Sequence, residues 1–130
     1  MPSIRVIDET TSGGRVDATP LEVDSEPITV ADLIALRVRT EVRRHNNEGK
    51  GTFFGLVQPI QVESMINGKV ESKFRHIDAD TQVEVALRGF KAQRFVVLLP
   101  EGQADSLEQT VMLSDGDAVS FLRLVPLIGG

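Results

Sequence analysis

The chain contains no cysteine, tryptophan or tyrosine. Without a thiol it forms no disulfide and carries no thioester of its own, so any acyl or sulfur chemistry needs a cysteine on a partner. Six phenylalanines are the only aromatic residues, which leaves few platforms on which bases could stack. These absences fit a reducing compartment and count against a nucleic-acid binder.

Positive charge and long apolar runs are also scarce. The formal net charge is −5, whereas affinity for phosphate backbones comes mainly from clustered Lys and Arg. No apolar run approaches the length of a membrane span, and the first residues lack the basic and apolar parts of a signal peptide. We expect a cytoplasmic protein with no nucleic-acid or membrane partner, built as one domain over residues 1–125.

The first 27 residues have the pattern of a β-hairpin. Ile4 and Val6 share one face of a strand, and Leu21 and Val23 repeat the alternation. Gly13-Gly14 lies between the two runs and suits the turn. Pro27 ends the hairpin.

A helix over residues 30–45 follows. Thr29 and Asp32 resemble a capping box with Asp in place of Glu, and apolar residues then recur at helical spacing. They are Val30, Leu33, Ile34, Val38 and Val42. The second half of the helix is basic, through Arg37, Arg39, Arg43, Arg44 and His45. We expect a solvated face there, because positive charge also suits a helix C-terminus.

Residues 50–78 read as an insertion whose structure has two interpretations. Val62, Met65 and Ile66 lie on one face of a short helix that Pro59 would begin and Gly68 would cap. Alternatively, Asn67-Gly68 is the tight turn of a hairpin. We favour the helix. Phe53 and Phe54 are expected in the core beneath this segment; if they are exposed, self-assembly into a homo-oligomer or partner docking becomes the better account.

The second half of the chain predicts one more helix and three strands. A helix over residues 79–92 has Asp78 or Asp80 as its cap, with Val83, Ala86, Leu87 and Phe90 on its buried side. Residues 95–99 form a β-branched strand before Pro100. A short strand over residues 110–113, the turn Asp115-Gly116-Asp117 and a last strand from about Val119 to Leu124 complete the body.

The chain ends in Val125-Pro126-Leu127-Ile128-Gly129-Gly130. We expect residues 126–130 to form an exposed tail, whose glycines follow the apolar segment Val125 to Ile128. Two final glycines should occur by chance in about one chain in 200 at average glycine usage. Activation of a carboxylate inside a narrow enzyme channel needs such an end, because side chains beside the reacting group would clash. The alternative is that these residues are a frayed terminus or a cloning or processing scar. The apolar Leu127 and Ile128 count against this alternative, because exposing apolar side chains on a free tail is unfavourable unless a partner binds them.

A hairpin, a helix and further strands that lead into Gly-Gly resemble the ubiquitin-like β-grasp fold. The motifs are closest to the sulfur carriers of thiamine and molybdopterin synthesis, in which an acidic turn like Asp115-Gly116-Asp117 and an apolar strand precede the tail. Leu122-Arg123-Leu124 before the terminal glycines is also similar to ubiquitin. The resemblance implies an α+β fold with a mixed sheet packed on a main helix, to which this chain adds the insertion and a second helix.

The added length and the apolar tail are similar to ubiquitin-like proteins of bacterial operons, some of which act in phage defence. Such operons also encode an activating enzyme, a conjugating enzyme and a metal-dependent isopeptidase. The resemblance implies that the Gly130 carboxylate is adenylated with ATP in the activating enzyme and then passed to its cysteine as a thioester. The chain itself would be no enzyme and would bind no cofactor. Residues Val125 to Ile128 would lie in the partner's channel.

The fate of the acyl group leaves three functions open. Transfer to a target makes the chain a protein modifier, and transfer to sulfide makes it a sulfur carrier with a terminal thiocarboxylate. In a third reading, the chain is a β-grasp scaffold whose tail binds without covalent chemistry. Self-modification would use a surface lysine, and the candidates are Lys50, Lys69, Lys73 and Lys91. Two histidines without a cysteine are too few for a metal site.

Overall fold

The structure, a computed structural model, describes residues 1–24, 26–48, 55–57, 65–66, 69–70 and 77–124. The strands in these residues are β1 (Ser3–Thr10), β2 (Arg15–Glu22), β3 (Ile28–Thr29), β4 (Met65–Ile66), β5 (Lys69–Val70), β6 (Phe95–Leu99), β7 (Gly102–Gln103), β8 (Thr110–Val111) and β9 (Ala118–Arg123). The helices are α1 (Val30–Glu48) and α2 (Ala79–Lys91).

A mixed five-stranded sheet forms the body, with the strand order β2-β1-β9-β6-β7. The parallel pair lies at its centre, where β1 runs beside β9 from Arg5 opposite Ala118 to Thr10 opposite Arg123. All the other neighbours in this sheet are antiparallel. The expected α+β class is therefore confirmed, and the sheet order is compatible with a β-grasp.

Helix α1 packs its apolar side onto one face of this sheet. Val30, Leu33 and Ile34 have no exposed surface. They share a core with alternate residues of the sheet, namely Ile4, Val6, Leu21, Phe95, Val97, Leu99, Val119 and Phe121. Thr29 begins the helix as predicted, because its Oγ1 accepts the Asp32 N–H at 3.0 Å.

Helix α2 lies against α1 and leads into β6. Asp78 is its cap, and its carboxylate accepts the Thr81 N–H at 3.2 Å. Val83 and Ala86 are buried as predicted, and Phe90 packs edge-to-face on Phe95 with ring centroids 6.1 Å apart. Gly89 lies over the Phe95 ring, where a Cβ would be 3.4 Å away, an ordinary van der Waals distance.

The turns agree with the glycine pattern at two positions. Gly13 has φ +96° in the β1–β2 turn, and Gly116 has φ +87° in the turn before β9. Both values lie in the region that favours glycine. The Asp115 carboxylate also accepts the Ser3 N–H at 2.8 Å, which holds this second turn against the start of β1.

Several expectations need correction. The favoured short helix through Met65 and Ile66 is wrong, because β4 pairs with β5 in antiparallel register, as in the hairpin interpretation. Its turn at Asn67-Gly68 lies outside the described residues. Helix α1 is longer than expected and reaches Glu48. The predicted short strand over residues 110–113 is present as β8, whereas β3, with which it pairs, and β7 were not predicted, because two-residue strands show no periodic sequence signal.

Candidate functional site

The tail emerges at the carboxyl end of β9. This strand ends at Arg123, and the next residue, Leu124, donates its N–H to the Arg94 carbonyl at 2.9 Å. The predicted activation residues Gly129 and Gly130 and the predicted channel residues Val125, Pro126, Leu127 and Ile128 all lie outside the described residues. The structure does describe the strand that precedes them, β9, which lies between β1 and β6.

Two of the four candidate acceptor lysines, Lys69 and Lys91, lie in the described residues. Lys91 is exposed in the last turn of α2. Lys69 belongs to β5, of which the backbone alone is described. Lys50 and Lys73 lie outside the described residues, as do Phe53 and Phe54.

Arg123 joins the end of β9 to the inserted segment. Its Nη2 donates to the carbonyl oxygen of Gly55 at 2.6 Å. Its Nε is buried and has no hydrogen-bond partner among the described residues. The last residue of the central strand therefore holds the backbone of a segment 68 residues away.

Residues 55–57 have two further polar contacts with the helices. The Leu56 N–H donates to Glu41 Oε1 of α1 at 3.2 Å. Gln82 of α2 donates from Nε2 to the Val57 carbonyl at 3.4 Å. The Leu56 side chain is only 5% exposed and belongs to the main core. This part of the insertion is thus wedged between α1, α2 and the end of β9.

A buried ion cluster lies behind this wedge. Arg37 of α1 is 2% exposed and forms a bidentate pair with Asp8 of β1, with Nη2 and Oδ2 2.7 Å apart. Its Nε donates to Glu41 at 3.1 Å, and its guanidinium carbon lies 4.5 Å from the centre of the Phe121 ring. Glu41 therefore links the cluster to the Leu56 backbone.

The electrostatic balance at Arg37 favours the charged form. Burial lowers the pKa of this guanidinium, but the hydrogen bond with Asp8 and the charges of Glu41 and Asp8 raise it more, so the pKa lies above its ordinary value. Arg37 therefore stays positive at every pH at which proteins are handled. A permanent cation among two carboxylates can fix β1 and α1 together, which is a structural role.

The expected solvated basic face is wrong for two of its five residues. Arg37 and His45 are buried. Arg39, Arg43 and Arg44 are exposed, but Arg39 pairs with Asp80 of α2 at 2.8 Å and Arg44 donates to Thr19 Oγ1 of β2 at 2.8 Å. The apolar spacing held a usable signal, because Arg37 follows Leu33 by four residues and so lies on the buried face.

Within the ranges that the structure describes, no group of three or more His, Asp or Glu side chains is placed to hold a metal ion. None of the helices in those ranges is long and apolar enough to cross a membrane. In comparisons with known proteins, no family model, no curated protein and no solved structure matches this chain.

Proposed function

We propose that this chain is a ubiquitin-like protein modifier with a β-grasp fold, activated at the carboxylate of Gly130. One observation supports this above all: β9 lies at the centre of the sheet, parallel to β1, and leads into the tail that carries Gly129-Gly130. The sheet order and the helix across one face support the β-grasp assignment. The proposal requires a free carboxylate at Gly130, whether it is encoded or made by proteolysis.

The proposed chemistry has three balanced steps. A carboxylate oxygen of Gly130 attacks the α-phosphorus of ATP on an activating enzyme, and pyrophosphate leaves. A cysteine thiolate of that enzyme attacks the acyl adenylate, and AMP leaves. An amine of a target attacks the thioester, which forms an amide and releases the thiol. The energy of ATP hydrolysis thus drives formation of a stable bond.

The chain's own contribution is to place the carboxylate. Six extended residues beyond Leu124 reach at most about 20 Å, so docking of the body confines Gly130 to a small volume. Pro126 narrows the backbone freedom near the start of the tail. Leu127 and Ile128 supply apolar contacts for the enzyme's channel, and the absent side chains of the glycines leave room for the nucleotide.

Mass spectrometry after reaction with an activating enzyme tests the proposal. The chain is incubated with ATP and the activating enzyme of the same genome, and the products are measured by intact mass and on non-reducing gels. We expect a thiol-sensitive adduct with the enzyme and, with lysate added, stable adducts on targets. A gain in mass that corresponds to replacement of oxygen by sulfur would identify the sulfur carrier instead. If no adduct forms, the tail acts without covalent chemistry.

Two variants separate the carboxylate from the rest of the tail. Deletion of Gly130 should abolish adduct formation, and activity that survives this deletion excludes Gly130 as the reacting residue. Leu127→Ala together with Ile128→Ala should raise the KM for the chain while the reaction still occurs. Met112→Ala is the matched control, because Met112 is an exposed apolar residue, 52% exposed, in the described body.

A further inference from the structure

Strand β2 is the long edge of the main sheet, and no strand among the described residues lies beyond it. It comprises eight residues at one end of the strand order, whereas β7 at the other end has two. Val16 in β2 is 67% exposed, the highest value of any large apolar side chain in the described residues apart from Met1. An edge of this kind offers unpaired N–H and C=O groups to another strand.

The register of the hairpin shows which backbone groups point outward. Thr10 donates its N–H to the Gly14 carbonyl, so Thr10 faces β2, whereas Arg5 donates its N–H to Asp117 on the other side. Since the direction alternates along a strand, Asp8 also faces β2 and is hydrogen-bonded to its partner Val16. Arg15 and Asp17, on either side of Val16, therefore direct their N–H and C=O groups to the open edge.

The side chains of the same three residues alternate between the two faces. Arg15 and Asp17 lie on the face away from α1, where they pair with Glu9 at 3.5 Å and Arg5 at 3.4 Å respectively. Val16 lies on the α1 side, as does Asp8 opposite it. A strand that pairs with this edge cannot continue its hydrogen bonds far beyond Asp17. β2 has one extra residue between Ala18 and Leu21, and Pro20 in this stretch lacks an N–H.

We propose that β2 pairs with β2 of a second copy of this chain, antiparallel and centred on Val16. Residues whose backbone N–H and C=O groups point to the open edge, such as Arg15 and Asp17, must lie opposite such residues of the second copy. These residues alternate along β2, so the two-fold axis passes through a residue and not between two residues. Centred on Val16, the ladder places Arg15 opposite Asp17 of the second copy, and Asp17 opposite its Arg15. Two opposite-charge pairs then flank a contact between two valines.

The neighbouring registers are less favourable. Centred on Asp17, the ladder places two aspartates directly opposite each other, which is destabilising. Centred on Ala18, it places Val16 opposite Pro20 at the irregular end of the strand. Charge complementarity thus selects one register and one occupant, a second copy. The ladder is short, so the dimer is a weak one that forms with rising concentration.

Charge reversal tests the register without depending on the fold of any one variant. In Arg15→Asp, acidic residues occupy both positions, and in Asp17→Arg, basic residues occupy both. Each variant alone should dimerise about tenfold more weakly or worse than the wild type in sedimentation velocity. An equimolar mixture should recover the dimer, because both of its cross-pairs are complementary. The proposal is overturned if either variant dimerises as strongly as the wild type, or if the mixture stays monomeric. It is also overturned if the wild-type chain stays monomeric at about 1 mM, a concentration at which weak interfaces still associate.

A cysteine variant tests the two-fold axis directly, since the natural chain has no cysteine. Opposed residues that are not hydrogen-bonded have Cα atoms about 4.5 Å apart, within the range of a disulfide. Val16→Cys should therefore cross-link rapidly under mild oxidation, and Met112→Cys, an exposed control, should not. Equal rates overturn the proposal. A chain that lacks residues 125–130 should still cross-link through Val16→Cys; loss of the cross-link would mean that the dimer is formed through the tail and would also overturn the proposal.

Discussion

Single residues set the polar contacts that hold this α+β body together, and Arg37 is the clearest case. Its position in the α1 sequence places it among Leu33, Ile34 and Val38 on the buried side. A charge there is tolerated because Asp8 and Glu41 supply carboxylates and Phe121 supplies the face of its ring. Removing one member of such a cluster leaves the others without compensation.

Arg37→Met should therefore lower the free energy of unfolding by about 3 kcal/mol, because Asp8 and Glu41 lose their common cation. Arg39→Met is the matched control on the same helix. Arg39 is 47% exposed and pairs with an exposed Asp80, so its loss should cost less than about 1 kcal/mol. Urea unfolding measures both values. Equal losses would show that the Arg37 cluster contributes no more than a surface pair.

At the scale of elements, the join between the two helices depends on a two-bond contact. Asn46, near the end of α1, donates from Nδ2 to the Ile77 carbonyl and accepts the Ile77 N–H on Oδ1, both at 2.9 Å. Ile77 immediately precedes the Asp78 cap of α2. Asn46 thus holds the backbone just before α2 against the end of α1.

Loss of this contact should loosen the start of α2. Asn46→Ala removes both hydrogen bonds and leaves the backbone N–H and C=O of the buried Ile77 unpaired, at a cost of about 2 kcal/mol. Asn47→Ala, at the adjacent exposed position, should have little effect. Thermal unfolding gives the stability change, and hydrogen exchange should show faster exchange in the first turns of α2 in the Asn46 variant alone. Similar behaviour of the two variants would contradict the role assigned to Asn46.

At the scale of the whole molecule, the described residues 55–57 of the insertion contribute to the same core as the sheet. Leu56 packs with the buried residues of α1 and β9, and its backbone neighbours are held by Arg123 and Gln82. If this segment were an appendage on the surface, a substitution in it would leave the stability of the core unchanged. Because Leu56 is part of the core, its substitution should lower that stability.

Leu56→Ala should accordingly cost about 3 kcal/mol of unfolding free energy, as for other buried leucines. Val57→Ala is the control from the same segment. Val57 is partly buried, so its loss should cost about 1 kcal/mol or less. Chemical denaturation should show one transition that shifts as a whole in the Leu56 variant. A Leu56 variant as stable as the Val57 variant would mean that the segment does not support the core.

Local signals predicted the elements that depend on neighbouring residues. The Thr29 cap, the Asp78 cap and the strand Phe95–Leu99 follow from side-chain chemistry within a few positions, and the structure has each of them. The insertion was harder, because Met65 and Ile66 fit one turn of a helix as well as a strand. Their pairing with Lys69 and Val70 decided the outcome.

The sequence by itself determined the two helices, the first hairpin and the strands near residues 95–99, 110–111 and 118–123, since these depend on periodicity, caps and glycine. It did not determine β3, β4, β5 or β7. It also supplied the Gly129-Gly130 motif on which the proposed function rests. Only the tertiary structure decided that β1 lies parallel to β9, with Ser3 bonded to a residue 112 positions away. It also decided that β2 lies at the edge of the main sheet, with no further strand beside it among the described residues. Such facts depend on contacts between distant segments, which no local pattern encodes.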